Sequence, residues 1–244
     1  LVGGYLSAYA VPQTVFLISA LFPLVTLTTT LGLVRESQTT ISRERLQGAG
    51  SSLRHATQSR TLWIVAGFLL LWNFSPSLGT PLLYYQRDVL QFSKVFIGTL
   101  GAINNAGGIL GALLFFLYCR EMRLDRLLYL AVALGVASTV GFIGLVGPKS
   151  AILIFLVFGT ISQITHLAVL DLAARSCPVR AEGTVFALLM SSLNVGRAGA
   201  NFFGGWLYDH TGFTPLILVS AAFTALCWMI VPLLEERQPQ EAIS

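Results

Sequence analysis

Charge is what this chain has least of. Its 244 residues include 15 Lys plus Arg and 11 Asp plus Glu, 11% in all, against about 25% in a soluble domain. With 55% of residues apolar, there are too few charged groups to coat a water-facing globule, which excludes a soluble enzyme. The same balance excludes disorder, which needs low hydrophobicity and high charge. Cysteine is scarce as well. Cys119, Cys177 and Cys227 are an odd number without paired or metal-type spacing, so neither a disulfide framework nor a zinc site is predicted. The chain also lacks a P-loop lysine motif, HExxH and GxSxG, the short signatures of nucleotide, zinc and serine chemistry. It is read as not an enzyme, and no cofactor or metal is expected.

What it has instead is long uncharged runs. A hydrocarbon core ~30 Å thick takes about 20 apolar residues of helix. No charge occurs from Leu1 to Val34, Thr61 to Gln86, Val95 to Cys119, Leu127 to Pro148, Ser150 to Leu170 or His210 to Leu234. A seventh segment, Thr184 to Tyr208, is interrupted only by Arg197. Each run is over twice the length of a barrel strand and lacks apolar–polar alternation, so helices are predicted. They fall near residues 12–34, 61–85, 95–118, 127–147, 151–172, 184–207 and 214–234, an all-α, multi-pass membrane protein of seven spans.

The basic residues sort by membrane side. Arg35, Arg43, Arg45, Arg54, Arg60, Arg120, Arg123, Arg126, Arg175, Arg180 and Arg237 fall on one side, and Arg87, Lys94 and Lys149 on the other. By the positive-inside rule the first side is cytoplasmic, which puts the carboxyl terminus and the loop of residues 35–60 inside; a plasma (inner) membrane is the expected location. The net charge of +4 therefore has a topological meaning, and no nucleic-acid partner is expected. The first segment lacks a basic start and an initiating Met, so it is not read as a signal peptide, and residues 1–10 read as the outer end of an earlier helix plus a turn.

A repeat suggests what precedes it. Shifted by 201 positions, the stretch from Gly3 overlies the stretch from Gly204, with matches at Gly3, Gly4, Leu6, Leu17, Ser19, Ala20, Phe22 and Leu33. Each copy has a Gly-Gly-aromatic-Leu helix end, a short outer turn, one span and a charged inner end. A parallel repeat of this length is what two six-helix halves give in major facilitator transporters. The expected domains are then residues 1–34, the end of helix 5 and helix 6 of an amino-terminal half; 35–60, a cytoplasmic linker; 61–236, a carboxyl-terminal six-helix bundle; and 237–244, a cytoplasmic tail. The expected partners are the lipid bilayer and the missing amino-terminal half. Two alternatives stand beside this. A seven-helix receptor or sensor fits the topology, but its last span would lack a Schiff-base Lys and the repeat would go unexplained. A non-transporting scaffold derived from a carrier is the other.

Polar residues inside the membrane are the candidate site, because each costs free energy unless it is paired or faces water. Arg197 stands out, since insertion scales put an Arg at mid-span at roughly 2.5–3.5 kcal/mol. Asn194, Arg197, Asn201 and Tyr208 share one stripe of their helix, and Ser192, Gly196, Ala200 and Gly204 form a small-residue stripe beside it. One face is expected to line a cavity and the other to pack on a neighbour. In the span from Thr61, Asn73, Ser77, Thr80 and Tyr84 repeat the polar pattern, and Pro76 removes a backbone hydrogen bond, predicting a helix break. Asn104 and Asn105 precede Gly107, Gly108 and Gly111, which predicts a close helix contact with one asparagine bonding across it. Gln163 and His166 share a face with Gly159 and form a secondary site. The structural alternatives are a tie of Arg197 to carbonyls, a kink without a ligand, and a packed histidine.

No Asp or Glu lies at mid-membrane. Asp171 and Glu182 fall at helix ends opposite Arg120, Arg123 and Arg126, where ion pairs can close the inner side. Alternatively, Asp171 and Arg175 form an ordinary i,i+4 pair. With the single mid-membrane charge positive, a small-molecule anionic substrate is expected.

Two stretches carry a resemblance. LAARSCPVRAEGTVFALLMSSLNVG, from Leu172 to Gly196, contains Ala174, Arg175, Cys177 and Pro178, then Glu182, Thr184, Phe186 to Ser191 and Asn194. LLWNFSPSLGTPLLYYQRDVLQFSKVFIGTL, from Leu70 to Leu100, contains Pro76-Ser77, Tyr84-Tyr85, Leu90, Phe92-Ser93, Phe96 and Gly98. Both resemble the carboxyl-terminal half of the folate-biopterin transporter (BT1) family. The resemblance implies a major facilitator fold and proton-coupled, secondary active transport of folates or pteridines. Two departures stand out: Arg197 occupies a place where a small or apolar residue is expected, and Cys119 to Arg126 is only weakly similar to the superfamily's inner loop.

Overall fold

The computed structural model describes residues 12–33, 58–75, 78–177 and 182–235. The expected linker, the helix end before Pro12, the tail, and both Pro76 and Ser77 lie wholly or mostly outside them. Among the described residues the regular structure is helical throughout. Helix α1 runs Pro12–Leu33, α2 Arg60–Phe74 and α3 Gly79–Tyr84, which continues into a π-helical turn at Tyr85–Val89. Helix α4 is Lys94–Leu114 with a π turn at Phe115–Cys119, and α5 is Leu124–Gly141 with a 3₁₀ turn at Phe142–Gly144. Helix α6 is Pro148–Arg175, α7 Glu182–Thr211, α8 Phe213–Leu226 and α9 Val231–Glu235.

Local chemistry explains the ends. At the start of α4, Ser93 Oγ accepts the Phe96 N–H at 3.2 Å, an N-cap that satisfies an orphan donor. Pro148 opens α6 at a position where its missing N–H is not needed, and Ser150 Oγ accepts the Gly147 N–H at 3.1 Å. Between α7 and α8 the chain turns at Gly212, whose φ of 85° is a conformation that side chains disfavour.

Among the described residues six segments are long and apolar enough to cross a membrane: Gln13–Leu33, Arg60–Val89, Lys94–Cys119, Leu124–Gly144, Pro148–Arg175 and Phe213–Leu234. Helix α7 has 30 residues, ample length to span at 1.5 Å per residue, but carries more polar groups. All seven predicted spans are therefore present in an all-α membrane fold. Within the bundle α4 packs on α6, α2 on α7, and α5 on both α6 and α8. Two cores hold it. Leu69, Leu127, Leu128, Leu172 and Leu189 belong to one, toward the start of α5 and the end of α6. Leu100, Phe142, Leu145, Phe213 and Ile217 form the other at the opposite end. Helix α1 contributes no residue to either.

Candidate functional site

Helix α7 is divided into three sectors. Leu189, Leu193, Gly196, Ala200, Gly204 and Leu207 are buried, so the small-residue stripe faces the bundle as expected. A Cβ on Gly196 would press on the Leu70 carbonyl and on Asn73 Cβ, and one on Gly199 would meet the Phe74 ring. Helices α2 and α7 thus touch backbone to backbone. A second sector carries the exposed apolar residues Val195, Phe202 and Trp206, at 63%, 78% and 49%. The polar stripe Asn194, Arg197 and Asn201 is also exposed but points elsewhere. At 3.6 residues per turn Arg197 lies roughly 140–180° around the helix from those apolar residues. The guanidinium is turned away from the sector suited to acyl chains.

The Arg197 guanidinium lies close enough to α6 for its charge to act on the His166 ring. His166 is exposed and Gln163, one turn earlier on the same helix, is half-buried. Asn73 sits on α2 at the contact with Gly196, next to Arg197 in sequence. The structure therefore brings Asn73, His166 and Arg197 to one region. Tyr84 lies on α3, half-exposed. Helix α2 stops at Phe74 and α3 begins at Gly79, and the described residues Ser75 and Leu78 between them are not helical.

The glycine-rich contact of α4 with α6 is as close as its sequence implies. Cβ atoms on Gly107, Gly111 and Gly159 would collide with the backbone carbonyls of Leu156, Thr160 and Asn104. The hydrogen bond expected across it is not made by Asn104. Its Oδ1 is buried without a partner, an arrangement that costs about 1–3 kcal/mol. Beside it lies a cavity of about 300 Å³ lined by Asn104, Asn105, Gly108, Ser162 and Gln163 together with Ile109, Ala112 and Gly159. Gln163 therefore joins the asparagines as well as the His166 side.

Sequence reasoning missed a second polar connection. Ser75, just past α2, donates from Oγ to the Ser220 carbonyl on α8 at 2.9 Å and lies 3.2 Å from Thr224 Oγ1. Ser75 and Ser220, with Leu78, Gly79, Leu82, Thr139, Phe142 and Phe158, line a second cavity of about 350 Å³ at the interruption. Nothing in the local sequence separates this serine from Ser77.

At the helix ends Asp171 pairs with Arg175 on its own helix at 2.9 Å, and Arg123 with Asp125 at 3.2 Å. Arg120 lies 5.3 Å over the Phe116 ring. In this state Asp171 and Arg123 thus have local partners. Cys177, near Glu182, has its thiol pushed above the ordinary range by burial first and by the Glu182 carboxylate second. Among the described residues no group of three or more His, Cys, Asp or Glu is placed to hold a metal.

Comparison with known proteins agrees with this helical, polar-lined bundle. The chain is 26% identical over 275 residues to a folate-biopterin transporter of Synechocystis sp., an alignment covering 98% of this chain and 54% of that protein. It is 30% identical over 160 residues to the probable folate-biopterin transporter 4 of Arabidopsis thaliana, covering 62% of this chain and 33% of the relative. The chain thus spans about half the length of the first of these relatives. The family model of the BT1 family matches residues 1–235, nearly the whole chain, and this chain belongs to that family.

Proposed function

We propose that this chain is the carboxyl-terminal portion of a twelve-helix secondary transporter that carries a small organic anion of the folate or pteridine type. Two homologous halves rock about a midplane site, and the substrate binds with different free energy in the inward- and outward-facing states. In this reading residues 1–34 belong to the amino-terminal half, 35–60 join the halves and 61–236 form the second bundle. The carboxyl terminus is cytoplasmic, in the plasma or inner membrane.

The observation that carries the proposal is the direction of Arg197. A mid-span guanidinium whose helix position avoids the apolar sector of α7 and whose charge acts on His166 suits a wet cavity between halves. There it receives a carboxylate, with Asn194, Asn201 and Asn73 as hydrogen-bonding neighbours and His166 beside them. Ser77 and Tyr84 extend the lining past the interruption, and Gln163 extends it toward α4. Arg120, Arg123, Arg126, Asp171 and Glu182 exchange partners at the inner side during closure.

The experiment is uptake of radiolabelled folate by cells making the full-length protein. Arg197→Ala is expected to lower uptake at least tenfold at an unchanged membrane level, and Arg197→Lys to recover part of it. Unchanged uptake by the alanine variant removes Arg197 from the site.

A further inference from the structure

The cavity between α4 and α6 differs in kind from the surroundings of Arg197. Its lining includes the amides of Asn104, Asn105 and Gln163 and the hydroxyl of Ser162, and no charged residue. A carboxylate finds no counter-charge there. The Asn104 Oδ1 is sealed off, with no donor and no surface open to water, so the groups that face the cavity are the Asn105 and Gln163 amides and the Ser162 hydroxyl. The Ser162 hydroxyl already donates to the Gly159 carbonyl at 3.1 Å, which leaves its oxygen as a further acceptor. Asn105 and Gln163 can each present a donor and an acceptor together.

Shape adds to chemistry. Gly108 and Gly159 are part of the wall, and the nearest atoms to a Cβ on Gly108 would be Gln163 Oε1 at 3.9 Å and the Gly159 carbonyl at 4.0 Å. The side of α4 at that point is therefore a slot without side-chain bulk, next to an amide. A volume of about 300 Å³ is equivalent to about ten waters and sits at the small end of the ligand-site range. Gln163 borders this slot, and His166, three residues or about 4.5 Å of rise farther along α6, meets the field of Arg197. Helix α6 thus runs from a neutral, amide-lined slot to a cation.

We infer that the α4–α6 cavity is a neutral subsite that takes the N–H-bearing edge of an uncharged heterocycle while Arg197 takes a carboxylate of the same ligand. This rests on the substrate reading above and divides it between two places. The Gln163 and Asn105 amides each offer that edge an acceptor and a donor.

The test uses the full-length protein in cells, with two labelled compounds: biopterin, a pteridine without a carboxylate, and folate, which joins a pterin to carboxylates. Gln163→Leu is expected to raise KM for both about tenfold, the effect of one lost hydrogen bond, with kcat and membrane level unchanged. Arg197→Ala is expected to raise KM for folate alone. Asn105→Leu is the second variant, expected to act like Gln163→Leu, and decides the matter if the first fails to reach the membrane. Unchanged KM for both compounds, or a fall confined to kcat, overturns the subsite and leaves the substrate reading standing. Absence of uptake of either compound by the unmodified protein overturns both.

Discussion

Adding a single methyl group to Gly159 tests whether α4 and α6 really meet through their backbones. In an isolated helix Gly→Ala is stabilising by about 0.8–1.0 kcal/mol. Here the new Cβ would run into the Asn104 peptide, with the carbonyl oxygen nearest and the carbonyl carbon and Cα just behind it. Backbone cannot swing aside like a side chain, so the helices must separate, loosening the Gly107 and Gly111 contacts as well. Overpacking of a tight contact costs about 1–3 kcal/mol, which outweighs the propensity gain. Gly101 lies on α4 with nothing within 4 Å of its virtual Cβ, and there the propensity gain acts alone. The propensity gain is common to both variants, so the expected difference between Gly159→Ala and Gly101→Ala is the overpacking cost, about 1–3 kcal/mol. At ~2–4 °C per kcal/mol for a domain of this size, that is a separation of several degrees in melting temperature. Fluorescence-detected size exclusion of the detergent-extracted full-length protein after heating measures it. Equal melting temperatures for the two variants would refute the backbone contact.

Three further outcomes follow from particular contacts. Ser75→Ala removes the bond to the Ser220 carbonyl and is expected to cost about 0.5–1.5 kcal/mol, read as a lower melting temperature than that of Thr80→Ala, which alters an exposed residue; parity between the two would show that Ser75 ties nothing. Cys177 should alkylate slowly at neutral pH and faster as pH rises, because its raised pKa leaves little thiolate. Glu182→Gln removes a negative charge that opposes ionisation, so the thiol pKa falls and alkylation at a given neutral pH speeds up; peptide mass spectrometry follows this, and a slower rate reverses the assigned sign. Arg197→Ala, measured against folate as above, is the functional counterpart.

Much of the fold was legible because charge placement limits where a helix can enter lipid. The uncharged run from Val95 to Cys119 became a helix over the same residues with its last turn π-helical. The segment read as 184–207 proved longer, Glu182–Thr211, because Glu182 and Asp209 bound the run yet are compatible with helix beyond it. The packing of Gly196, Ala200 and Gly204 could also be read, since period alone puts them on one face. The unsatisfied Asn104 could not. Its neighbours Gly107 and Gly108 announced a close contact, but whether a carbonyl or a donor faces the amide depends on the register against α6, more than 50 residues away. The same holds for Ser75 and Ser220, and for Tyr85, which stacks on Phe213 at 4.0 Å between ring centres. Periodicity specifies a face, and only assembled helices specify which atoms meet.

Because α7 shows a different neighbour to each third of its circumference, its reading frame is locked in both directions. One residue inserted after Leu193 rotates everything beyond by about 100°: Val195 lands where only Gly196 fits against Leu70, and Asn201 swings to the outward place of Phe202. One residue deleted there drives Arg197 itself against the Leu70 carbonyl. Length variation in this protein therefore has to occur in its connections, since this rod tolerates neither gain nor loss.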